Sequence, residues 1–285
     1  MTVVVIGRTG QLARALARLA PDARFLGREA LDLADPAAAV AALAPHLAGA
    51  GAVINAAAYT AVDRAEAEEP LAFTVNAATP GALAGAAAGA GVPFVHVSTD
   101  YVFDGSGNRP WQPADAPAPL NAYGRSKLAG EQAVAAAGGV HAVLRTSWVF
   151  SGEGQNFVTT MLRLGATQTR LRVVADQTGG PTPASALAGA CLTIARALAR
   201  DPALSGVYHY AGAPDTSWAG FARAILAAAG LAAQVEDIPT ADYPTPARRP
   251  LNSRLDCSAT ETAFGLARPD WRAALRDLLA QGGAA

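Results

Sequence analysis

Cysteine is nearly absent. The 285 residues hold two, Cys191 and Cys257, with neither a CxxC pair nor metal-ligand spacing. A disulfide framework and a cysteine metal site are thereby excluded, and a reducing compartment is expected. Blocks of like charge are missing too, and the formal net charge is −1. That argues against a nucleic-acid surface and against an electrostatic membrane anchor. No uninterrupted apolar run of about 18 residues marks a membrane span. The apolar opening, Met1 to Gly7, is too short for a signal sequence, so a cytoplasmic location is expected. The longest apolar stretch, residues 80–93, is rich in alanine and glycine and reads as a buried helix. No repeat has a solenoid period. His46, His96, His141 and His209 stand isolated. His96, inside a strand, reads as a hydrogen-bonded core histidine, and none of the four is assigned to catalysis.

What is present is a hydrophobic content of 51%, enough for one large core or a core plus a smaller lobe. Short branched-apolar runs (residues 3–6, 24–26, 52–55, 94–98 and 142–146) alternate with helical stretches at 11–20, 36–47, 70–90 and 122–137. The strands are apolar throughout, as a sheet covered on both faces requires. Strand–helix alternation with right-handed crossovers predicts an α/β fold with a Rossmann-type doubly wound parallel sheet. Past residue 147 the rhythm breaks into polar and proline-rich loops at 151–156, 176–183 and 239–254. The expected organisation is a dinucleotide-binding domain over 1–146. A smaller, interleaved substrate lobe covers most of 147–285, and a helix at 183–200 and a strand at 207–210 return to the main sheet.

Gly7-Arg8-Thr9-Gly10-Gln11-Leu12-Ala13 follows the first strand and opens the first helix. Glycines there let the backbone approach a pyrophosphate, and the helix N-terminus offers free N–H groups. An ordinary strand–turn–helix corner has the same outline, but the position directly after the first strand favours dinucleotide binding. At the end of the second strand an acid usually holds the ribose 2′-OH. Here Leu26-Gly27-Arg28-Glu29 stands instead. Arg28 and Arg8 are candidates for a 2′-phosphate, which favours NADPH while leaving NADH open. Two solvated surface arginines are the alternative. Asn55-Ala56-Ala57-Ala58-Tyr59-Thr60 supplies small residues against which an adenosine or ribose can lie.

Tyr123-Gly-Arg-Ser-Lys127 places a phenol and an ammonium on one helical face. The ammonium is expected to depress the phenol from about 10, making it a proton donor to a carbonyl. Packing of an aromatic ring on a lysine stem yields the same spacing. Thr99 and Asp100, ending the preceding strand, tip the balance. Thr99 can hydrogen-bond the reacting carbonyl oxygen, and Asp100 can accept from sugar hydroxyls. Trp148 offers a flat apolar face for a sugar ring. Arg248 and Arg249, in a proline-stiffened loop, are candidates for a diphosphate. Asn156 opens a helix whose N-terminus could meet a phosphate.

The segments 7–13, 55–63, 98–105, 123–131 and 145–150 resemble the extended short-chain dehydrogenase/reductase superfamily. Asp176-Gln177-Thr178-Gly179-Gly180-Pro181-Thr182 and residues 243–255 narrow the resemblance to the dTDP-4-dehydrorhamnose reductase family. It spans nearly the whole chain. It implies NADPH-dependent reduction of the C4 keto group of a dTDP-4-keto-6-deoxysugar, with Tyr123 as proton donor, Lys127 binding the nicotinamide ribose, and Thr99 as third catalytic residue. It also implies cofactor contacts at Gly10, Gln11, Leu12, Asp32, Leu33, Ala58 and Tyr59. Thr60, Val62, Asp100 and Trp148 would line the deoxysugar pocket. Some relatives dimerise around a magnesium held by glutamates, one of them on the first helix. Arg14-Ala15-Leu16 carries no carboxylate there, so no metal is expected, and monomer and homodimer stay open. Three other readings are a reductase of another dTDP-4-keto sugar, a dehydratase or epimerase, and a non-catalytic subunit like the methionine adenosyltransferase β subunit. Tyr101, where dehydratases place a second acid, weighs against the dehydratase.

Overall fold

The structure, a computed structural model, describes residues 1–282. Its centre is a sheet of six strands: β1 (Thr2–Ile6), β2 (Arg24–Leu26), β3 (Ala50–Asn55), β4 (Phe94–Thr99), β5 (His141–Thr146) and β6 (Gly206–His209). Their spatial order is β6-β5-β4-β3-β1-β2, and every pairing is parallel. From β1 the chain winds outward first to β2 and then, across β1, to β3. The crevice at the carboxyl ends of β1 and β3 is therefore the switch point at which such sheets bind ligands. β6 closes one edge of the sheet by pairing with β5.

Burial explains the apolar strands. Helices α1 (Gln11–Leu19) and α8 (Ala184–Leu198) cover one face through Leu12, Leu16 and Leu187. The other face packs Leu43 of α2 (Pro36–Leu47), Leu83 of α5 (Thr79–Gly89) and Val134 of α6 (Ala122–Ala136). α2 starts where Pro36 can begin a helix, with the Asp35 carboxylate accepting from Ala37 and Ala38 N–H.

The single helix expected over 70–90 is interrupted. α3 (Val62–Ala65) precedes α4 (Glu69–Phe73), and a π turn at Thr74–Ala78 separates α4 from α5. The turn carries the buried Asn76, whose Nδ2 donates to Tyr59 O (3.1 Å) and Ser126 Oγ (2.9 Å). Asn76 Oδ1 accepts from Tyr59 N at 2.8 Å. A π turn of this kind commonly marks a functional site. The run Glu69–Gly89 is long and apolar enough to cross a membrane by length and composition. Here it packs on α2 and α6.

The remaining chain builds a second core from Phe150, Phe221, Ile225 and Trp271. It is framed by α7 (Phe157–Gly165), α9 (Trp218–Ala228) and the parallel pair Arg170–Val174 with Gln234–Ile238.

Candidate active site

A cavity of about 1090 Å³ opens over the carboxyl ends of β1, β3, β4 and β5. Gly7 has φ +112°, a conformation open to glycine and strained for other residues. A Cβ there would also press to 3.3 Å from Ala57 Cβ. Gly10 then caps α1 without any side-chain hydrogen bond, so the first N–H groups of the helix face the cavity uncapped. Gln11 ties this loop to the chain beyond β5, donating to Val149 O (3.3 Å) and accepting from Ser151 Oγ (2.8 Å). Leu12, Asp32, Leu33, Ala58, Tyr59, Thr60 and Val62 all line the cavity, as do Arg8 and Arg28. The two arginines are largely exposed and lightly held, Arg8 by Glu29 at 3.3 Å and Arg28 by Asp32 at 3.9 Å. Such surface pairs cost little to exchange for another anion.

At the other end of the cavity lie Thr99, Asp100, Tyr123 and Lys127. Gly124 brings them together. A Cβ on it would sit 2.2 Å from Tyr101 O, so only glycine lets the first turn of α6 settle onto the turn Asp100–Val102. Tyr101 and Tyr123 then meet edge to face, centroids 5.7 Å apart. Asn121 caps α6 by accepting from Gly124 N at 2.7 Å.

The electrostatics correct one expectation. Burial pushes Tyr123 up to about 12, and what draws it back is a hydrogen bond with Thr99 rather than the Lys127 ammonium. The reason is where the lysine points. Its Nζ donates to Val97 O (2.7 Å) and lies 3.3 Å from His96 Nε2. Burial pushes Lys127 itself down to about 8, against the attraction of Glu131. Asp100 is driven up to about 7 by burial, with hydrogen bonds from Ser253 and Thr99 opposing. Among the described residues, two buried side-chain oxygens lack partners: Asp100 Oδ2 and Thr146 Oγ1. Both residues line the cavity. An unpaired buried oxygen is costly, so the cavity is suited to a polar ligand that satisfies them.

Trp148 forms the opposite wall. It is the one non-glycine residue among those described with positive φ, +49°, a strained backbone of the kind found at ligand sites. Its ring stacks on Trp218 at 3.7 Å.

Three expected contacts do not reach the cavity. Asn156 caps α7 instead, accepting from Val158 and Thr159 N–H in a capping box. The helix end expected to meet a phosphate is thus already satisfied. Arg249 pairs with Asp63 (2.8 and 3.1 Å) and donates to Ala247 O, which pins the proline-rich loop to α3. Arg248 is exposed beside it, its carbonyl accepting from Asn121 Nδ2. Neither arginine lines the cavity wall.

Residues 1–283 match the family model for the RmlD substrate binding domain. A dTDP-4-dehydrorhamnose reductase of Sinorhizobium fredii is 46% identical over 98% of this chain and 97% of its own length. The chain belongs to the dTDP-4-dehydrorhamnose reductase family. This is a family of oxidoreductases, and two of its solved members superimpose closely. The crystal structure from Clostridium acetobutylicum is 33% identical with a TM-score of 0.90, covering 99% of this chain and all of that one. The reductase from Bacillus anthracis, solved in complex with NADP, is 31% identical with the same TM-score and the same coverage.

Membership in the reductase family leaves several positions that motif reading passes over. Asn76 has no local signal, because its role depends on the π turn. Glu131 is recognisable only in three dimensions. It binds Arg145 (Nη2 2.6 Å) and accepts from Ser98 Oγ (2.5 Å), making a buried ion pair behind β4. His96 is the buried, hydrogen-bonded histidine expected, and its neighbour is Lys127.

Proposed function

We propose that the chain reduces the C4 keto group of dTDP-4-dehydro-β-L-rhamnose to give dTDP-L-rhamnose, with NADPH as reductant. NADPH supplies the hydride that adds to C4. The rest is done by side chains. The Gly7–Leu12 loop and the uncapped start of α1 receive the pyrophosphate. Arg8 and Arg28 take the 2′-phosphate, while Asp32 is the group that would accept the 2′-OH of NADH. Tyr123 delivers its proton to the C4 oxygen as negative charge develops there. Thr99 hydrogen-bonds the same oxygen and holds the phenol in place. Lys127 orients the nicotinamide ribose, and Asp100, Thr60, Val62 and Trp148 shape the deoxysugar pocket. The second lobe, in this reading, is the substrate lobe.

One observation carries the reading. The uncapped helix start on β1 and the Thr99–Tyr123 pair beyond β4 share a single cavity with unpaired acceptors. The direct test replaces Tyr123 by Phe and follows NADPH oxidation with the dTDP-4-keto sugar. Turnover is expected to fall by roughly 10²–10⁴. Retained turnover would remove Tyr123 as the donor.

A further inference from the structure

Lys127 is the only lysine in the chain; every other Lys/Arg position is an arginine. It is also fully buried. An arginine keeps its proton under all ordinary conditions, whereas a lysine can release one when its surroundings favour the amine. The polar side chain within hydrogen-bond distance of its Nζ is His96.

The imidazole of His96 lies between two groups. Asn55 Nδ2 is 3.1 Å from Nδ1, and Lys127 Nζ is 3.3 Å from Nε2. The Asn55 amide is oriented from its other end, because Ala57 N–H donates to Asn55 Oδ1 at 3.3 Å. Nδ2 is then a donor toward Nδ1, and Nδ1 must accept. Burial and the neighbouring lysine hold the ring well below the ordinary histidine range, so it is neutral. A neutral ring accepting at Nδ1 carries its proton on Nε2. That N–H points at Nζ.

We propose that His96 is a positioning residue for Lys127: with its tautomer fixed by Asn55, it presents an N–H donor to Nζ and so favours the amine over the ammonium. An ammonium has only donors and meets this N–H unfavourably, whereas an amine accepts from it while still donating to Val97 O. Of the other charged and titratable groups, Glu131 acts on Nζ directly, while Tyr123 and Asp100 share the cavity with it. Glu131 on the same helix favours the ammonium, its own charge shared with Arg145 of β5. Tyr123, one turn earlier, is held as the neutral phenol. Asp100, just past β4, is pushed up to about 7 by burial. The balance places the Lys127 midpoint within the working pH range, with the His96 N–H on the side of the amine. The tautomer and the lysine titration stand apart from the reductase reading.

A single lysine makes the test unambiguous. Protein labelled with [ε-¹³C]lysine gives one side-chain resonance, whose titration is read directly in the full-length apo protein. Replacing His96 by Leu removes the N–H and is expected to raise the Lys127 midpoint by about half a pH unit or more. His96→Gln can accept from Asn55 and donate to Nζ, and is expected to keep the midpoint within ~0.3 of the wild type. In the wild type, ¹⁵N shifts are expected to place the His96 proton on Nε2. A midpoint that stays put or falls in His96→Leu overturns the proposal, as does a glutamine variant that shifts as far as the leucine one. A proton on Nδ1 overturns it without any variant needing to fold. If no sugar is reduced while the lysine behaves as described, the reductase reading fails and this assignment stands.

Discussion

Two helix starts, those of α1 and α7, offer themselves as phosphate sites in the sequence, and they differ in one residue type at the cap. α1 begins at Gly10, which has no side chain to offer, and its first N–H groups stay available. α7 begins at Asn156, which satisfies two of its own N–H groups and closes a capping box with Thr159. Both were reasonable phosphate sites from sequence, since any helix start carries a positive end. The structure separates them: a side chain that stabilises its helix has consumed the donors a ligand would use. The contrast extends to the two walls. Every site residue expected from the first 146 positions lines the cavity, whereas beyond them Trp148 does and Asn156, Arg248 and Arg249 do not.

Gly7→Val gives the strongest challenge to this contrast. A β-branched residue at φ +112° strains the loop. It is expected to raise the KM for NADPH by roughly tenfold or more and to lower the melting temperature as well. Unchanged KM would detach the loop from cofactor binding.

Asp100→Asn is next. The carboxyl is shifted from 3.8 to about 7 in the folded chain, so the folded state binds more protons than the unfolded one between those values. Stability is therefore lost as pH rises through that window and stays lower above it. The amide removes that burden. Urea unfolding at pH 8 should show a gain on the order of 2 kcal/mol, vanishing near pH 4. A destabilised variant at pH 8 would mean that the carboxylate is well solvated.

Asn156→Ala should cost about 1 kcal/mol of stability by thermal unfolding, with the KM for NADPH and sugar nucleotide left within about twofold. A large rise in either KM would restore the helix start as a phosphate site and erase the contrast. The smallest effect is expected for Arg248→Ala. It is exposed and off the cavity, so kcat/KM should change by less than about twofold.

Motifs that work through the backbone were legible in the sequence. The Gly7–Ala13 turn, the apolar strands and the Tyr123–Lys127 spacing each follow from local geometry, and the parallel sheet follows from their alternation. What escaped depends on distant partners. Arg249 looks free in sequence and is claimed by Asp63, 186 residues away. The phenol–ammonium coupling looked direct, yet the carbonyl of Val97 and the ring of His96 sit where Lys127 points. Asn76 became visible only because a π turn rotates it beneath Tyr59.

In the proposed reaction the uncapped helix start and the Thr99–Tyr123 pair serve one chemical step in one cavity. It is tested most directly by following NADPH oxidation by the purified protein with dTDP-4-dehydro-β-L-rhamnose, beside a panel of other dTDP-4-keto sugars. Stoichiometric oxidation with the rhamnose precursor, and its loss in Tyr123→Phe, is the predicted result. Absence of oxidation with every sugar in the panel, from folded protein that binds NADPH, would contradict it.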